Sequence, residues 1–596
     1  MTTAPTELVA PRQQDATLTA ALVAVAVLGA GIALDAAARV DAPITSDVGF
    51  VAVLQGDFWL GLLLLNLVTG VLLWRRPSHV GLMSLMFLLM IAVLYGVPAA
   101  ATGTPRTEVA WRHLGIAGEL GASGRIDPGI DAYFNWPGFF AGLASFTELT
   151  GLRPETVALM APVVNAILWT AGVALIAWAL ASDLRHLWVT VWIFLLANWI
   201  DQDYLSPQAF TFFLYLVVVA LLLTALGATP RDSLRRHVAD GGVRAGIAGW
   251  WRHRTPLEAD PRRRVAAVWV VVLLSVVIIA SHQLTPVMLA AALGILTVTG
   301  RCWAPRLLPL VGVLVVLWMV TAAATYLSGH PVLFVRGIEH STQAAVVERV
   351  AGSPGHLQVL TIRSLLTGSV LLLALAGAFR MYRRGSRDLR PVLLMGFPFL
   401  LVPLQSYGGE MLLRATLFAL PFAAFLAAGA FVPGPRATVV RRTALVVVLA
   451  ILLTPLLVTA RYGNAAYDTF THAEVEGSRA MYRLAPEGAI LLAGANPTPW
   501  RYQDYAAFRH RTLTAVCPEP IEPRSCYRVV RELAAEHEGG AVLMLSRANA
   551  ESMRIQGDLS ERDFRGLVRL VEQRGEARLV YRNEDVSLYR FPRTEA

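Results

Sequence analysis

The residues with chemistry to offer gather in a few short polar stretches of an otherwise apolar chain. The longest is 124–140, Gly-Arg-Ile-Asp-Pro-Gly-Ile-Asp-Ala-Tyr-Phe-Asn-Trp-Pro-Gly-Phe-Phe, in which Asp127 and Asp131 stand beside Tyr133 and Trp136. Asp127-Pro128 reads as a helix start: the Asp side chain accepts from free N–H groups and the Pro ring suits the first turn. Asp131 then falls one turn in, on the same face. Pro137 should break this helix and leave the aromatics at a membrane interface. A carboxylate at that depth can take a proton from an acceptor hydroxyl. The plainer reading, that an Asp only caps the helix and stabilises its positive end, applies first to Asp127.

Four further stretches carry the rest. They are Asp201-Gln202-Asp203-Tyr204, the turn with His282 and Gln283, a segment with Arg336 and His340, and Glu410 followed four residues on by Arg414. Asp203 is the second candidate base. Arg414, Arg336 and His282 could stabilise the charge of a lipid-phosphate leaving group, and Gln202, Gln283 and Tyr204 could hold sugar hydroxyls. Asp201 with Asp203 could ligate a divalent metal, although two acids in a short turn are more often solvated or capping; no cofactor is assigned. No Cys/His spacing resembles a zinc site, no glycine pattern a nucleotide-phosphate loop, and no GxSxG elbow is present.

The elements that must position these residues are membrane spans. A chain of 596 residues with 55% hydrophobic and 16% charged residues and a mean hydropathy of +0.54 is no ordinary soluble domain. The net charge of +9 comes from Arg alone, since the sequence has no Lys, and reads as positive-inside loops rather than a nucleic-acid partner. Apolar runs at 18–38, 58–74, 80–101, 155–180, 187–200, 208–226, 265–280, 287–299, 308–327, 365–379, 392–404, 417–432 and 444–459 give about thirteen spans. The first is expected to be a retained anchor, not a cleaved signal peptide. Orientation follows from Arg75-Arg76, from nine Arg against four acids in 229–264, and from Arg380, Arg383, Arg384 and Arg387. The N-terminus is then cytoplasmic, and every polar stretch above lies on the outer face of the plasma membrane.

After residue 460 the composition becomes that of a soluble extracytoplasmic domain, 461–596. Alternating apolar residues at 489–493, 541–545 and 577–581 predict strands, and 525–538 and 561–574 predict helices. The expected fold is therefore an α-helical polytopic membrane domain, residues 1–460, with a C-terminal extracytoplasmic α/β domain. Cys517 and Cys526 are expected to form a disulfide in an oxidising compartment. Trp500, Tyr502, Tyr505 and Phe508 suit either sugar stacking or a folded core.

About a dozen spans, the first large outer loop with Asp131-Ala132-Tyr133, the turns Asn198–Phe210 and Ser281–Pro286, and the outer α/β domain together resemble the GT-C membrane glycosyltransferases. The resemblance implies a transferase using a polyprenyl-phosphate sugar, with Asp131 as base, Tyr133 and Trp136 framing the acceptor, and Arg414 with His282 meeting the lipid phosphate. Its partners would be membrane lipid and an envelope glycan or protein acceptor. Three other readings remain. A lipid-linked glycan flippase should carry ionisable residues inside the spans, where Asp35 is the main candidate. A polymerase or ligase of lipid-linked glycan is closer in chemistry. A non-catalytic scaffold would tolerate loss of the outer acids.

Overall fold

The computed structural model describes residues 10–181, 183–229, 254–329, 352–403, 410–432 and 439–593. Among the described residues eight helices are long and apolar enough to cross a membrane: α1 (Ala10–Ala38, apolar from Ala16), α2 (Gly56–Arg75), α3 (Val80–Thr102), α6 (Pro154–Leu180), α9 (Pro261–Ser281), α12 (Pro354–Arg383), α14 (Met411–Ala428) and α15 (Val439–Tyr462). Shorter apolar helices lie between them: α7 (Leu184–Ala197), α8 (Pro207–Leu223), α10 (Thr285–Val298), α11 (Leu307–Val320) and α13 (Arg390–Gly396) with its 3-10 extension Phe397–Leu401. The chain is a multi-pass membrane protein.

Because lipid tails are as apolar as the side chains, helix contacts here depend on close packing. A Cβ on Gly61 of α2 would overlap the Gly29 carbonyl and lie 2.8 Å from the Ala33 Cβ of α1. The central helices α7 and α14 are buried along nearly their whole length, as residues surrounded by other helices must be.

The loop after α3 differs from expectation. It holds two helices, α4 (Glu108–Ser123) and α5 (Gly138–Thr150). No helix starts at Asp127. Its side chain instead accepts from the Gly129 amide at 2.8 Å, closing the turn that an Asp-Pro-Gly sequence favours. Asp131 caps a four-residue 3-10 helix, Ala132–Asn135, by accepting from the Tyr133 amide at 3.0 Å. Pro137 ends that turn and leads into α5.

Beyond α15, helix α16 (His472–Leu484) leads into a five-stranded sheet. Its strands are β1 (Ile490–Ala493), β2 (Arg509–Thr512), β3 (Ala541–Ser546), β4 (Arg578–Arg582) and β5 (Val586–Phe591), in spatial order β2-β1-β3-β5-β4. β2, β1 and β3 are parallel, with Ile490 opposite both Arg509 and Ala541, and β5 and β4 complete the sheet antiparallel. Alternation sorts the faces. Leu491, Ala493, Val542 and Met544 pack with Ala480 and Met481 of α16. Ile490, Leu492, Leu543 and Leu545 pack with Val530 and Ala534 of α17 (Pro523–Glu536) and Leu567 and Val571 of α19 (Glu561–Gln573). Both faces of β1 and β3 are thereby buried, as parallel strands require. Cys517 and Cys526 are joined in a disulfide beside this second core.

The sheet domain docks on one end of the helix bundle. Arg547, at the start of α18 (Arg547–Gln556), donates to the Ile44 carbonyl at 3.4 Å, in the segment between α1 and α2. Arg554 pairs with Asp47 between α1 and α2. Every described polar turn named above lies at this end.

Candidate active site

Two polar clusters form where the loops and the sheet domain meet. The first is sealed. Asp203 accepts from Arg461 Nη2 at 2.8 and 2.9 Å, and the two side chains are 1% and 2% exposed. Asp201 takes a left-handed φ of 58°, a conformation Asp tolerates, and turns its carboxylate to Arg106, which donates from Nη1 at 3.0 Å and also from Nη2. Arg106 further reaches Asp468 at 3.5 Å, and Arg461 reaches Asp201 at 3.4 Å. Burial pushes the Asp203 carboxyl up and that of Asp468 up to about 6, each against the pull of the nearby guanidiniums. Three carboxylates and two arginines are thus tied into one buried network. The pair offered to a divalent ion is occupied by cations that would repel one, and among the described residues no cluster of three acid, His or Cys side chains could hold a metal.

Asp131 is equally engaged. Arg112 donates to it from Nε at 3.0 Å and from Nη2, and the Tyr505 hydroxyl from the sheet domain donates at 2.6 Å. Burial pushes its carboxyl up, but the Arg112 charge, the Tyr133 amide and the Tyr505 hydroxyl outweigh it and hold it below the usual range. Such a carboxylate is a weak base.

The second cluster is less fully paired and draws on four segments. Glu108 is the first residue of α4, half-buried, and its carboxylate makes no ion pair among the described residues. Burial, with Asp468 and Glu410 as neighbouring negative charges, pushes it up to about 7. Tyr204, raised by burial, has Tyr133, Glu410, Arg414 and Glu108 as electrostatic neighbours and so marks the centre. Its ring stacks on His113 with centroids 6.0 Å apart. His113 is fully buried, and burial lowers it to about 3, so the ring is neutral. Nδ1 lies 2.8 Å from the Leu205 carbonyl, which can only accept, so the proton is on Nδ1 and Nε2 is a bare acceptor without a partner among the described residues. His282 is lowered by burial and by the charge of Arg414. The Thr285 amide donates to its Nδ1 at 3.2 Å, which leaves the proton on Nε2 as a donor. Arg414 donates to Glu410 at 2.7 Å, one turn back on the same helix.

The remaining expected residues scatter. Tyr133 lies under the Arg112 guanidinium, 5.1 Å from ring centroid to Cζ, and edge-on to His113. Trp136 is buried against Tyr326. Gln202 is buried, with an unpartnered Oε1 among the described residues, and Gln283 follows His282 in its turn. Asp127 is exposed. Arg336 and His340 lie outside the described residues. Trp500 and Tyr505 are buried and Tyr502 packs its edge on Trp111, so these aromatics serve the cores and the domain contact.

Arg106, Glu108, Arg112 and His113 are absent from the sequence reading. The signal for them was present: Arg-Thr-Glu follows the third span directly, and Trp111, Leu114, Ala117 and Leu120 repeat at helical spacing.

No protein-family model and no curated relative matches the chain. Solved structures do. The oligosaccharyltransferase of Archaeoglobus fulgidus in its apo form aligns over 82% of this chain and 72% of its own, at 12% identity and a TM-score of 0.51. ArnT from Cupriavidus metallidurans, bound to undecaprenyl phosphate, aligns over 86% and 98% at 14% identity with a TM-score of 0.49. The arabinofuranosyltransferase AftD from Mycobacteria aligns over 86% and 40% at 13% identity and a TM-score of 0.42. At such identities the likeness is one of fold.

Proposed function

Starting from a GT-C-like fold, we propose that this protein is an integral membrane glycosyltransferase that moves a sugar from a polyprenyl-phosphate donor to a cell-envelope glycan, lipid or protein acceptor. The observation that carries the reading is Glu108: a carboxyl with no ion pair among the described residues, raised to about 7, with Tyr204 and Glu410 as neighbours in the cluster that also holds Arg414 and His282. In this reading Glu108 takes the proton of the acceptor hydroxyl as its oxygen bonds to the anomeric carbon. The bond from that carbon to the phosphate oxygen breaks, and its electron pair leaves with polyprenyl phosphate. Arg414 and the Nε2–H of His282 stabilise the phosphate, while His113 Nε2 accepts from a sugar hydroxyl. Asp131, the base expected from sequence, becomes the tie between α4 and the sheet domain, and Asp203 orders Arg461.

The same proposal divides the chain into a transmembrane catalytic part, 1–460, and an extracytoplasmic part, 461–596. It places the arginine-rich end of the bundle in the cytoplasm and the docked sheet domain outside. The clustering of acids, His and Arg at the docked end favours a transferase over a flippase, for which charge would lie mid-membrane. Asp35, the intramembrane candidate for transport, is exposed and paired with Arg39 at 3.0 Å.

The test is acceptor-dependent release of polyprenyl phosphate from radiolabelled polyprenyl-phosphate sugars by the protein in lipid nanodiscs. Glu108→Gln should abolish release and Asp131→Asn should leave most of it in protein that remains folded. The opposite pattern would return the base to Asp131. Transfer of intact lipid-linked sugar between leaflets of a liposome, without release, would make the protein a flippase.

A further inference from the structure

The sheet domain touches the helix that carries Glu108 through one loop. The loop 494–508 leaves the carboxyl end of β1, the edge at which open α/β sheets present their ligand-binding loops, and runs onto α4. Arg501 takes a left-handed φ of 61° and donates its backbone N–H to the Tyr482 hydroxyl at 2.6 Å. Its carbonyl lies so close to Gly115 that any Cβ there would overlap it. Glu108, Arg112 and Gly115 recur at i, i+4 and i+7 and so form one stripe of α4. The loop therefore seats Arg501 on the stripe that carries the proposed base and a second arginine.

The two arginines differ in their partners. Arg112 is bound to Asp131 and Tyr505. The Arg501 guanidinium makes no hydrogen bond or ion pair among the described residues, its Nε is buried without a partner, and its one side-chain contact of note is with the Trp500 ring at 5.3 Å. Asp131 and Glu108 are its negative neighbours, but neither makes an ion pair with it, and setting a half-buried guanidinium without a direct partner beside Arg112 is unfavourable unless an anion joins them.

We propose that Arg501, with Arg112 beside it, binds an anionic group of the acceptor, a phosphate or a sugar carboxylate, so that the natural acceptor is an acidic glycan or a phosphorylated one. The site is assigned to the acceptor because Arg501 is brought by the sheet domain, whereas Arg414 and His282 stand at the ends of membrane helices. The proposal rests on the transferase reading, but binding can be measured without turnover.

The experiment uses the full-length protein in nanodiscs with oligogalacturonate and a phosphorylated mannose oligosaccharide as probes, and the methyl ester and unphosphorylated forms as neutral controls. At least one acidic probe should bind, its neutral counterpart should not, and Arg501→Ala should weaken binding about tenfold or more, with partial recovery in Arg501→Lys. In a turnover assay the same variant should raise the KM for acceptor and leave that for donor unchanged. A rise in donor KM instead would assign Arg501 to the lipid phosphate and overturn the proposal. So would equal binding by wild type and by a folded Arg501→Ala, checked by its melting temperature, or no binding of either acidic probe. Arg501-dependent binding with no transfer from any donor would sustain this site and sink the transferase reading.

Discussion

The two ends of the bundle use arginine with different emphasis. At the end away from the sheet domain, beside the Arg390–Asp388 ion pair, four arginines cap backbone. Arg185 donates to the Trp74 carbonyl at 3.0 Å, Arg254 to the Thr297 carbonyl at 2.9 Å, Arg264 to the Glu258 carbonyl at 2.8 Å, and Arg380 to that of Gly429. Several of these carbonyls are at helix C-termini, which otherwise have no acceptor partner and carry partial negative charge. At the docked end, arginines face carboxylates instead: Arg106 with Asp201, Arg112 with Asp131, Arg461 with Asp203, Arg414 with Glu410. One end is finished; the other stores charge that matters only if something must be bound or ordered there. The unmatched members of that store, Glu108 and Arg501, are therefore the informative ones.

The contrast can be broken most decisively at Glu108. Glu108→Gln should lower turnover by about 10²- to 10⁴-fold with little change in melting temperature. In the wild type, turnover should rise with pH through about 7, because a base must be ionised to act. Its raised value also means that folding favours the protonated form, so stability falls, rather than rises, as pH climbs from the unfolded value toward 7. A flat pH profile over that range would remove Glu108 from the chemistry.

Next in size is the sealed cluster. Asp203→Asn leaves Arg461 buried without its partner and should cost roughly 3–5 kcal/mol, read as a large drop in melting temperature and in yield of folded protein. A variant of normal stability would mean that water reaches this pair.

Asp131→Asn should cost less, about 1–3 kcal/mol, through loosened docking of the sheet domain, read by protease cleavage or hydrogen exchange near Tyr505. Because the fold holds this carboxyl below its unfolded value, its contribution is present at neutral pH and is lost as pH falls through the folded value. Docking that weakens on acidification, and does so less in the Asn variant, is the expected pattern.

The smallest effect belongs to the other end. Arg185→Ala should change stability by less than about 1 kcal/mol and leave turnover untouched, since its bond to Trp74 is exposed. Loss of activity there would show that the two ends are coupled and that the contrast is not one of function.

Sequence by itself determined a great deal here. Apolar runs of membrane length became helices because no backbone polar group can be left unpaired in lipid, and the short apolar runs at 489–493 and 541–545 became the adjacent interior strands β1 and β3, buried on both faces. It also picked out the turns that build the cluster, through Tyr204, His282, Glu410 and Arg414. What it could not do was rank the acids. Asp131, Asp203 and Glu108 are alike in sequence, each a carboxylate near a span end, and their difference lies in partners brought from far along the chain. Arg461 reaches Asp203 across 258 positions and Tyr505 reaches Asp131 across 374, while Glu108 makes no ion pair among the described residues and has only the charge of Arg501 nearby. Burial and charge pairing set what a carboxylate can do, and both are properties of the packed chain: only the tertiary structure decided which acids are ion-paired ties and which one makes no such pair among the described residues.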